Sequence, residues 1–343
     1  MLTRLPDCFK VELMSDRSDF YQQHLDRVSR SFAFCIRQLP APLRDWVSLS
    51  YLLCRTLDTI EDARWESPDA QMRAFASFDA ALSRREGIAD FKSGISSWPE
   101  GIPAGEKALI EDADQLFGDF HQLTASVRDN MRELIGVMSK GMQHFCRQKA
   151  GGDLHLRSLN EVNQYCFFVA GVVGELLAKL LAKVEPKFSL NPLNLLRAHH
   201  FGLFLQKVNL LKDQVGDEKA GRHLIPSREL VEASSAENAR WALDFLLDIP
   251  SEQIEFRRFC AWSLFLGLEA LNVARRSIGE QRVLRIARKR TDEILEQVET
   301  NLQDNNGLKQ LFISFKEALG WTANHAAFAG DVPRSLNQLG VTI

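Results

Sequence analysis

The stretch from Tyr51 to Ala63 carries carboxylates at a spacing suited to binding a metal ion. Asp58 and Asp62 lie within about 60° of Arg55 on a helical wheel, while leucine and isoleucine cover most of the other faces. Carboxylates at this spacing repel each other, and the repulsion grows near a buried surface unless a cation lies between them. Mg²⁺ prefers carboxylate oxygens and completes its coordination with water and phosphate oxygens. The stretch therefore predicts one half of a magnesium site.

A second polar stripe lies between residues 201 and 217. Gln206, Asn209, Asp213 and Asp217 follow one another at intervals of three, four and four residues. They therefore project along one face of a helix whose other faces are apolar. The two amides add neutral oxygen ligands or hydrogen bonds without adding charge. A single such pair of aspartates usually marks a solvated surface, but two stripes on largely apolar helices favour a metal site.

If the two helices face each other, four carboxylates line the rim of an apolar cavity. Divalent cations would neutralise them, and a diphosphate would complete the cation shells. The chain has 22 Phe but only 3 Tyr, which suits an apolar cavity, although an all-helical core explains it equally well. The pattern predicts a prenyl diphosphate substrate. Positive side chains that could grip its phosphates accompany the motifs, although each except Arg55 also fits a surface ion pair: Arg30, Arg55, Lys212 and Arg222.

Helices must position these residues. Apolar residues recur at three- and four-residue spacing along most of the chain, and the alternation typical of strands is absent. Ser15 or Asp16 can cap the first helix, Pro68 can open the third, and residues 85–105 form the clearest loop. The predicted helices span residues 16–39, 41–63, 68–83, 104–117, 121–150, 157–184, 192–218, 234–247, 251–279, 282–302 and 306–321.

Composition limits the class of protein. We expect one all-α domain over residues 1–343, with a core at about 16–321, because no repeat or compositional break divides the chain. The net charge of −3 argues against a nucleic-acid partner. Six cysteines without a C-x-x-C pair predict reduced core thiols. We find no signal peptide and no uncharged apolar run of spanning length, so we expect a cytoplasmic protein and leave peripheral membrane contact open.

Four motifs resemble, in family order, those of the squalene and phytoene synthase family, and are closer to its squalene synthases. SRSFAFCIRQLP (29–40) resembles the family's opening motif, and RTLDTIED (55–62) resembles its first aspartate-rich motif. QYCFFVAGVVGELL (164–177) resembles its tyrosine-cysteine block. GLFLQKVNLLKDQVGDEKAGRHLIP (202–226) resembles its second aspartate-rich motif, and MSKGM (138–142) is a weaker match.

The resemblance implies the all-α isoprenoid synthase fold, a helical bundle around one central apolar cavity. It also implies metal binding by Asp58, Glu61, Asp62, Asp213 and Asp217. The catalytic residues that it implies are Arg55, Asp58, Asp62, Tyr165, Asp213 and Asp217. The residues expected to contact the substrate are Ser29, Arg30, Ser31, Phe32, Tyr51, Gln206, Asn209, Lys212, Arg222, Phe256 and Phe259.

The implied reaction joins two farnesyl diphosphates head to head with Mg²⁺ to give presqualene diphosphate, which NADPH (or NADH) then reduces to squalene. No G-x-G-x-x-G motif follows a strand, so a nicotinamide cofactor would bind on the helical surface. The basic segment 275–290 fits such a site, anionic lipid headgroups, or a solvated helix face. The residues named for the cofactor are Asn209, Arg285, Arg288 and Lys289.

Several alternatives remain open from the sequence. Gly216 and Lys212 depart from the usual second motif, which leaves the product open. A phytoene- or dehydrosqualene-type synthase, or a presqualene diphosphate synthase, would need no NADPH. A terpene cyclase or a chain-elongating prenyl synthase would use the same pattern of metal-binding carboxylates. A non-catalytic helical adaptor protein would not need these carboxylates. Gly171 and Gly174 fit either room for a prenyl chain or close helix packing. The protein could be a monomer or a homodimer.

Overall fold

The structure of the protein is a computed structural model that describes residues 7–29, 31–149, 153–276 and 285–321. The side chains of residues 7–16 and of Ser31 lie outside the description. Fifteen α-helices and one pair of two-residue strands occupy the described ranges. The predicted all-α class is therefore confirmed.

The chain divides into two compact units, residues 1–132 and 133–343. The first aspartate-rich motif belongs to the first unit and the second motif to the second unit. The single domain expected from the sequence stays a prediction.

In the first unit, helix α3 is the buried element that carries the first motif. Leu52, Leu53, Leu57 and Ile60 on this helix are fully buried, as the sequence pattern requires. Helix α3 contacts α1, α4, α6 and α7. The helices that begin in this unit are α1 (Asp7–Val28), α2 (Ser31–Ile36), α3 (Leu43–Asp62), α4 (Pro68–Ser83), α5 (Gly87–Gly94), α6 (Ala104–Glu111), α7 (Ala113–Gln122) and α8 (Ala125–Arg147).

Several predicted boundaries in this unit are wrong. Helix α1 begins at Asp7, so neither Ser15 nor Asp16 caps it. The predicted loop 85–105 contains α5, because the buried ring of Phe91 anchors this segment with its centroid 5.3 Å from that of Phe117. The predicted helix 104–117 is two helices, α6 and α7, that meet at Asp112. The start of α4 at Pro68 is confirmed.

In the second unit, helix α11 is the element that carries the second motif. It contacts α10, α12 and α13, and its N-terminus is capped by the side chain of Asn191. A π-helical turn, Phe167–Gly171, joins two of the helices. The elements are α9 (Leu159–Cys166), α10 (Val172–Val184), α11 (Pro192–Lys219), α12 (Arg228–Asp248), α13 (Ile254–Arg276), α14 (Arg288–Asn301), α15 (Asn305–Ala318) and the parallel strands β1 (Leu154–His155) and β2 (Arg222–His223). The sequence shows no alternation at these two strands, because each is only two residues long.

Small residues let α11 approach the preceding helical segment closely. A Cβ at Gly174 would lie 2.0 Å from the carbonyl oxygen of Ala198, and one at Gly202 would lie 2.1 Å from that of Ala170. Backbone atoms fill the space beside both glycines. Close helix packing therefore explains Gly174, and room for a prenyl chain does not.

This packing predicts a stability change. Gly202→Ala should destabilise the protein by about 1–3 kcal/mol, because the new methyl group meets backbone that cannot rotate away. Gly216→Ala in the same helix should have no such cost, since nothing lies within 4 Å of the position that a Cβ would take there, and should gain up to about 1 kcal/mol of helix propensity. Urea unfolding of both variants measures the difference. Equal stabilities of the two variants would contradict the close approach.

Residues 159–184 form one continuous helical stretch of 26 residues with a mean hydropathy of 1.8 in its most apolar window. By length and composition it could cross a membrane, which differs from the sequence expectation. However, 56% of that window is buried inside the protein, as in a core helix. The five cysteines whose side chains are described are buried and form no disulfide with one another, in agreement with the predicted core thiols: Cys35, Cys54, Cys146, Cys166 and Cys260.

Candidate functional site

Arg55 is the cation of the first motif, and two carboxylates hold it. Its Nη2 donates to Glu106 Oε1 at 2.7 Å, and its Nη1 lies 3.7 Å from Asp58 Oδ2. The guanidinium remains partly exposed, with 32% of the side chain accessible. Glu106 and Asp58 therefore orient the Arg55 side chain. Sequence analysis missed Glu106, because it lies on α6, 51 residues away.

The three acidic residues of the first motif differ in exposure. Desolvation raises the pKa of Asp58 to about 6 and outweighs the opposing charge of Arg55, although 35% of the side chain still reaches solvent. Glu61 is buried, and Asp62 is exposed at the last position of α3. An acid whose charge is disfavoured in this way gains from a bound cation. This gradient from buried to exposed carboxylate suits a divalent ion that keeps some of its water.

The residues of the opening motif lie beside α3. Ser29 hydrogen-bonds to Tyr51, and burial raises the pKa of the Tyr51 phenol despite that bond. The ring of Phe32 packs on Tyr51 with centroids 6.0 Å apart. Arg30 and the side chain of Ser31 lie outside the described residues. Ser29 and Phe32 thus both contact Tyr51, which lies on α3 one turn before Arg55.

The second motif ends in an ion pair between Asp217 and Arg222. Arg222 Nη2 donates to Asp217 Oδ1 at 2.7 Å, and only 13% of the Asp217 side chain is exposed. Burial raises the pKa of Asp217 to about 6, and the charges of Asp213 and Glu218 add to this effect. Asp213 is more open, with 53% of its side chain exposed, and lies 3.3 Å from Lys212 Nζ.

The predicted amides lie one and two turns before Asp213 on α11. Gln206 and Asn209 are both half-buried. Lys212 Nζ donates to Asn209 Oδ1 at 3.3 Å, so this lysine bridges the amide and Asp213. The predicted polar stripe is therefore present on one helix, and Asp213 is its most exposed member.

These donor sets fit Mg²⁺. Both motifs offer carboxylate oxygens, and the second adds amide oxygens, which are hard ligands that Mg²⁺ accepts. Asp58 and Asp217 have raised pKa values because their charges are poorly solvated, and a divalent cation would relieve both. The set that would hold the metal in the second unit is Asp213 and Asp217, beside Asn209.

Tyr165 is buried near the π-helical turn. Its ring meets that of Phe145 edge-on, with centroids 5.2 Å apart at 87°. Phe168 in the turn lies against Gly141 of the MSKGM motif, where a Cβ would be 2.1 Å from its ring. The weak MSKGM match therefore marks a position that admits an aromatic ring beside Tyr165. π-Helical turns of this kind are frequent at functional sites.

Asn163, two residues before Tyr165, is a candidate that sequence analysis missed. Its side chain is completely buried, and neither amide atom has a hydrogen-bond partner among the described residues. An unpaired buried amide costs about 1–3 kcal/mol. Asn163 is therefore a candidate hydrogen-bonding residue for a ligand near Tyr165.

A buried polar network joins α11 to α12, and sequence analysis missed it too. Lys207 is fully buried, and its Nζ donates to Ser234 Oγ and Asn238 Oδ1, each at 2.6 Å. Because Asn238 accepts from Lys207 with its oxygen, its nitrogen donates to His200 Nδ1 at 2.7 Å. The His200 ring stacks on Trp241 with centroids 4.9 Å apart. The network fixes the helix that carries Gln206, Asn209 and the aspartates.

This network predicts a pH dependence of stability. Burial, aided by the charge of Lys207, lowers the pKa of His200 to about 3, against about 6.5 in the unfolded chain. The unfolded state therefore binds one more proton between these values, so this histidine removes about 1.4 kcal/mol of stability per pH unit as pH falls from 6.5 toward 3. His200→Gln should flatten the stability curve between pH 6 and 4. The exposed His144, changed to Gln, is the control, and equal slopes in wild type and His200→Gln would refute the assignment.

The other site residues predicted in the second unit lie later in the chain than the polar stripe of α11, on α13 and in the basic segment. Phe256 and Phe259 on α13 are buried and pack with centroids 5.8 Å apart. Arg285 and Arg288 are exposed and have no ion-pair partner among the described residues, and 91% of the Lys289 side chain is exposed. Within the basic segment, Arg290 is already paired with Glu269 at 3.2 Å, and residues 277–284 lie outside the described residues.

Comparison with known proteins agrees with the motif resemblance. A family model described as squalene/phytoene synthase matches residues 25–316. Squalene synthase ERG9 of Candida albicans is 30% identical over 204 residues, which cover 59% of this chain and 44% of that protein. The squalene synthase of Homo sapiens is 29% identical over 222 residues, which cover 65% of this chain and 49% of that protein. The chain spans about half the length of the curated relatives it matches.

Solved structures share the fold. A ligand complex of TcSQS aligns with 95% of this chain and 99% of its own, with a TM-score of 0.66 at 20% identity. A dehydrosqualene synthase with a bound ligand aligns with 85% of this chain and 98% of its own, with a TM-score of 0.54 at 17% identity. The predicted isoprenoid synthase fold and the resemblance inferred from the motifs are both confirmed.

Proposed function

Because the chain belongs to the squalene/phytoene synthase family, we propose that it joins two farnesyl diphosphates head to head and reduces the product to squalene. The observation that carries this proposal is the second motif. There Asp213 and Asp217 stand on one face of α11, Asp217 has a raised pKa, and Arg222 lies 2.7 Å away. Such a site suits a substrate that brings both cations and phosphate oxygens.

The first chemical event is the departure of a diphosphate from an allylic carbon. Asp58, Glu61 and Asp62 in the first motif, and Asp213 and Asp217 in the second, would each hold Mg²⁺, which when bound neutralises the charge of the leaving diphosphate. Arg55 lies beside Asp58 in the first motif, and Arg222 pairs with Asp217 at the end of the second. A diphosphate offers each guanidinium a further anionic partner, so these arginines bind and orient the leaving group.

The aromatic residues near Tyr165 protect the cation that remains. Phe167 and Phe168 are buried in the π-helical turn, and their rings exclude water and offer π faces to a positive charge. Tyr165 is buried beside the ring of Phe145, and its hydroxyl is a polar group in this aromatic region. We assign Tyr165 to the loss of the proton that closes presqualene diphosphate.

The reductive half needs a hydride, which NADPH (or NADH) supplies when bound. Arg285, Arg288 and Lys289 are exposed cations that suit the phosphates of such a cofactor, and Asn209 is a half-buried amide one turn before Asp213. The same exposed cations suit an anionic membrane surface, and the lipid product suits a cytoplasmic protein in peripheral contact with one.

Product analysis tests the proposal. Purified protein is incubated with farnesyl diphosphate and Mg²⁺, with and without NADPH, and the lipids are identified by mass spectrometry. Squalene formed only with NADPH supports the proposal. The same product in both tubes would instead favour a synthase of the phytoene, dehydrosqualene or presqualene diphosphate type, and no condensation product at all would refute the prenyl transfer itself.

A further inference from the structure

Three metal-ligating side chains meet at the two-stranded element of the second unit. Asp153, His155 and His223 each offer one ligand atom, and these atoms all lie within 4.8 Å of one another. The two imidazole rings are stacked, with centroids 4.2 Å apart and planes 6° from parallel. The residues come from two segments about 70 residues apart, so sequence spacing does not bring them together. Asp153 and His155 lie outside the aspartate-rich motifs, and His223 lies near the end of the 202–226 stretch, six residues after Asp217.

The backbone builds this arrangement. Strands β1 and β2 pair in parallel with His155 opposite His223, and Leu156 N donates to His223 O at 2.9 Å. Side chains directly opposite on paired strands lie on the same face. Both imidazoles are therefore presented side by side by the register of the strands.

Gly221 makes room for the third group. Its φ of +76° is left-handed, and a Cβ there would lie 2.3 Å from Asp153 Oδ1. The carboxylate therefore occupies the space beside the strand that any other residue at position 221 would fill. Among the described residues, no hydrogen-bond or ion-pair partner competes for the side chains of Asp153, His155 and His223.

We propose that Asp153, His155 and His223 form a binding site for a late first-row divalent ion such as Zn²⁺ or Co²⁺. Imidazole nitrogen favours these ions, whereas Mg²⁺ favours oxygen ligands only. Three protein ligands leave a position for water. Tetrahedral bonds of about 2.0–2.2 Å place ligand atoms roughly 3.4 Å apart, so small rotations of the exposed Asp153 and His155 side chains close the site.

The site has a consequence for the second motif, and this part rests on the proposed function. Arg222 lies between Gly221 and His223 on β2 and pairs with Asp217. An ion that ties β1 to β2 holds the backbone on both sides of Arg222. Occupancy would therefore restrict the arginine that we assign to the leaving diphosphate.

Cobalt absorption and calorimetry test the site without using activity. Untagged protein of residues 1–343 is titrated with Co²⁺ and, separately, with Zn²⁺ in the presence of excess Mg²⁺. We expect one ion per chain with visible Co²⁺ bands, and an affinity at least about tenfold lower in His155→Gln/His223→Gln. His144→Gln removes an exposed histidine of the same unit and should bind like wild type. Binding that is unchanged in the double variant, or absent in wild type, would overturn the proposal.

Two further measurements separate the site from folding and from catalysis. Circular dichroism and the metal-free Tm of the double variant should match those of wild type, because both histidines are at least partly exposed. The rise in Tm on adding Zn²⁺ should be present in wild type and lost in the double variant. Failure of the protein to make squalene would leave these binding results unaffected, so the two proposals can fail separately.

Discussion

Asp217→Asn should lower kcat with farnesyl diphosphate by about 10³-fold, which corresponds to about 4 kcal/mol of transition-state stabilisation. Asn keeps the shape of the side chain but removes the charge that would hold Mg²⁺ against the leaving diphosphate. The change should cost little stability. It removes the pair with Arg222 at 2.7 Å, but it also relieves the burial and the repulsion from Asp213 that raise the pKa of Asp217.

The matched control is Asp244→Asn on α12. Asp244 pairs with Arg240 at 3.0 Å on an exposed surface, so its loss should change neither kcat nor KM. Steady-state kinetics of both variants, with thermal unfolding to verify their folds, give the comparison. A folded Asp217→Asn protein with wild-type kcat would contradict the assignment of this aspartate.

Tyr165→Phe should lower the rate of presqualene diphosphate formation by about 10²–10⁴-fold. Phenylalanine keeps the edge-on contact with Phe145, so the variant removes the hydroxyl and little else. Single-turnover experiments with Mg²⁺ but without NADPH isolate this half-reaction. The residual rate then measures the contribution of the hydroxyl to proton loss.

Tyr21→Phe is the control for this substitution. The Tyr21 hydroxyl donates to Asp119 at 2.8 Å and is buried, so its removal should reduce stability by about 1 kcal/mol. It should leave the rate of condensation unchanged. If Tyr165→Phe behaved like Tyr21→Phe, with altered stability and an intact rate, Tyr165 would have a structural role only.

The parts of the site that the sequence predicts are those set by local periodicity. The stripe from Gln206 to Asp217 and the apolar faces around Leu57 both follow from helical spacing, and both occur in the structure. The helical class follows for the same reason. Short helices cannot be predicted in this way. The sequence predicts a loop where α5 lies, because the eight residues Gly87–Gly94 contain too few helical turns to show a period.

The contacts that escape prediction are those between distant segments. Arg55 meets Glu106 across 51 residues, and nothing in either local pattern indicates the pair. Nothing in the local sequence distinguishes Lys207 from a surface lysine, but it is completely buried and donates to Ser234 and Asn238 on α12. Strand register brings His155 to His223 in the same way. Sequence spacing identifies the chemical groups on one helix, and tertiary structure decides which of them are paired.

The central claim is that both aspartate-rich motifs serve one purpose, the binding of diphosphate through Mg²⁺. Calorimetric titration with inorganic pyrophosphate tests it directly, on wild type, Asp58→Asn and Asp217→Asn, each with Mg²⁺ and with excess chelator. We predict binding to the wild type only with Mg²⁺, and a loss of at least about tenfold in affinity in each variant. Equal affinity with and without Mg²⁺, or full affinity in either variant, would contradict the claim.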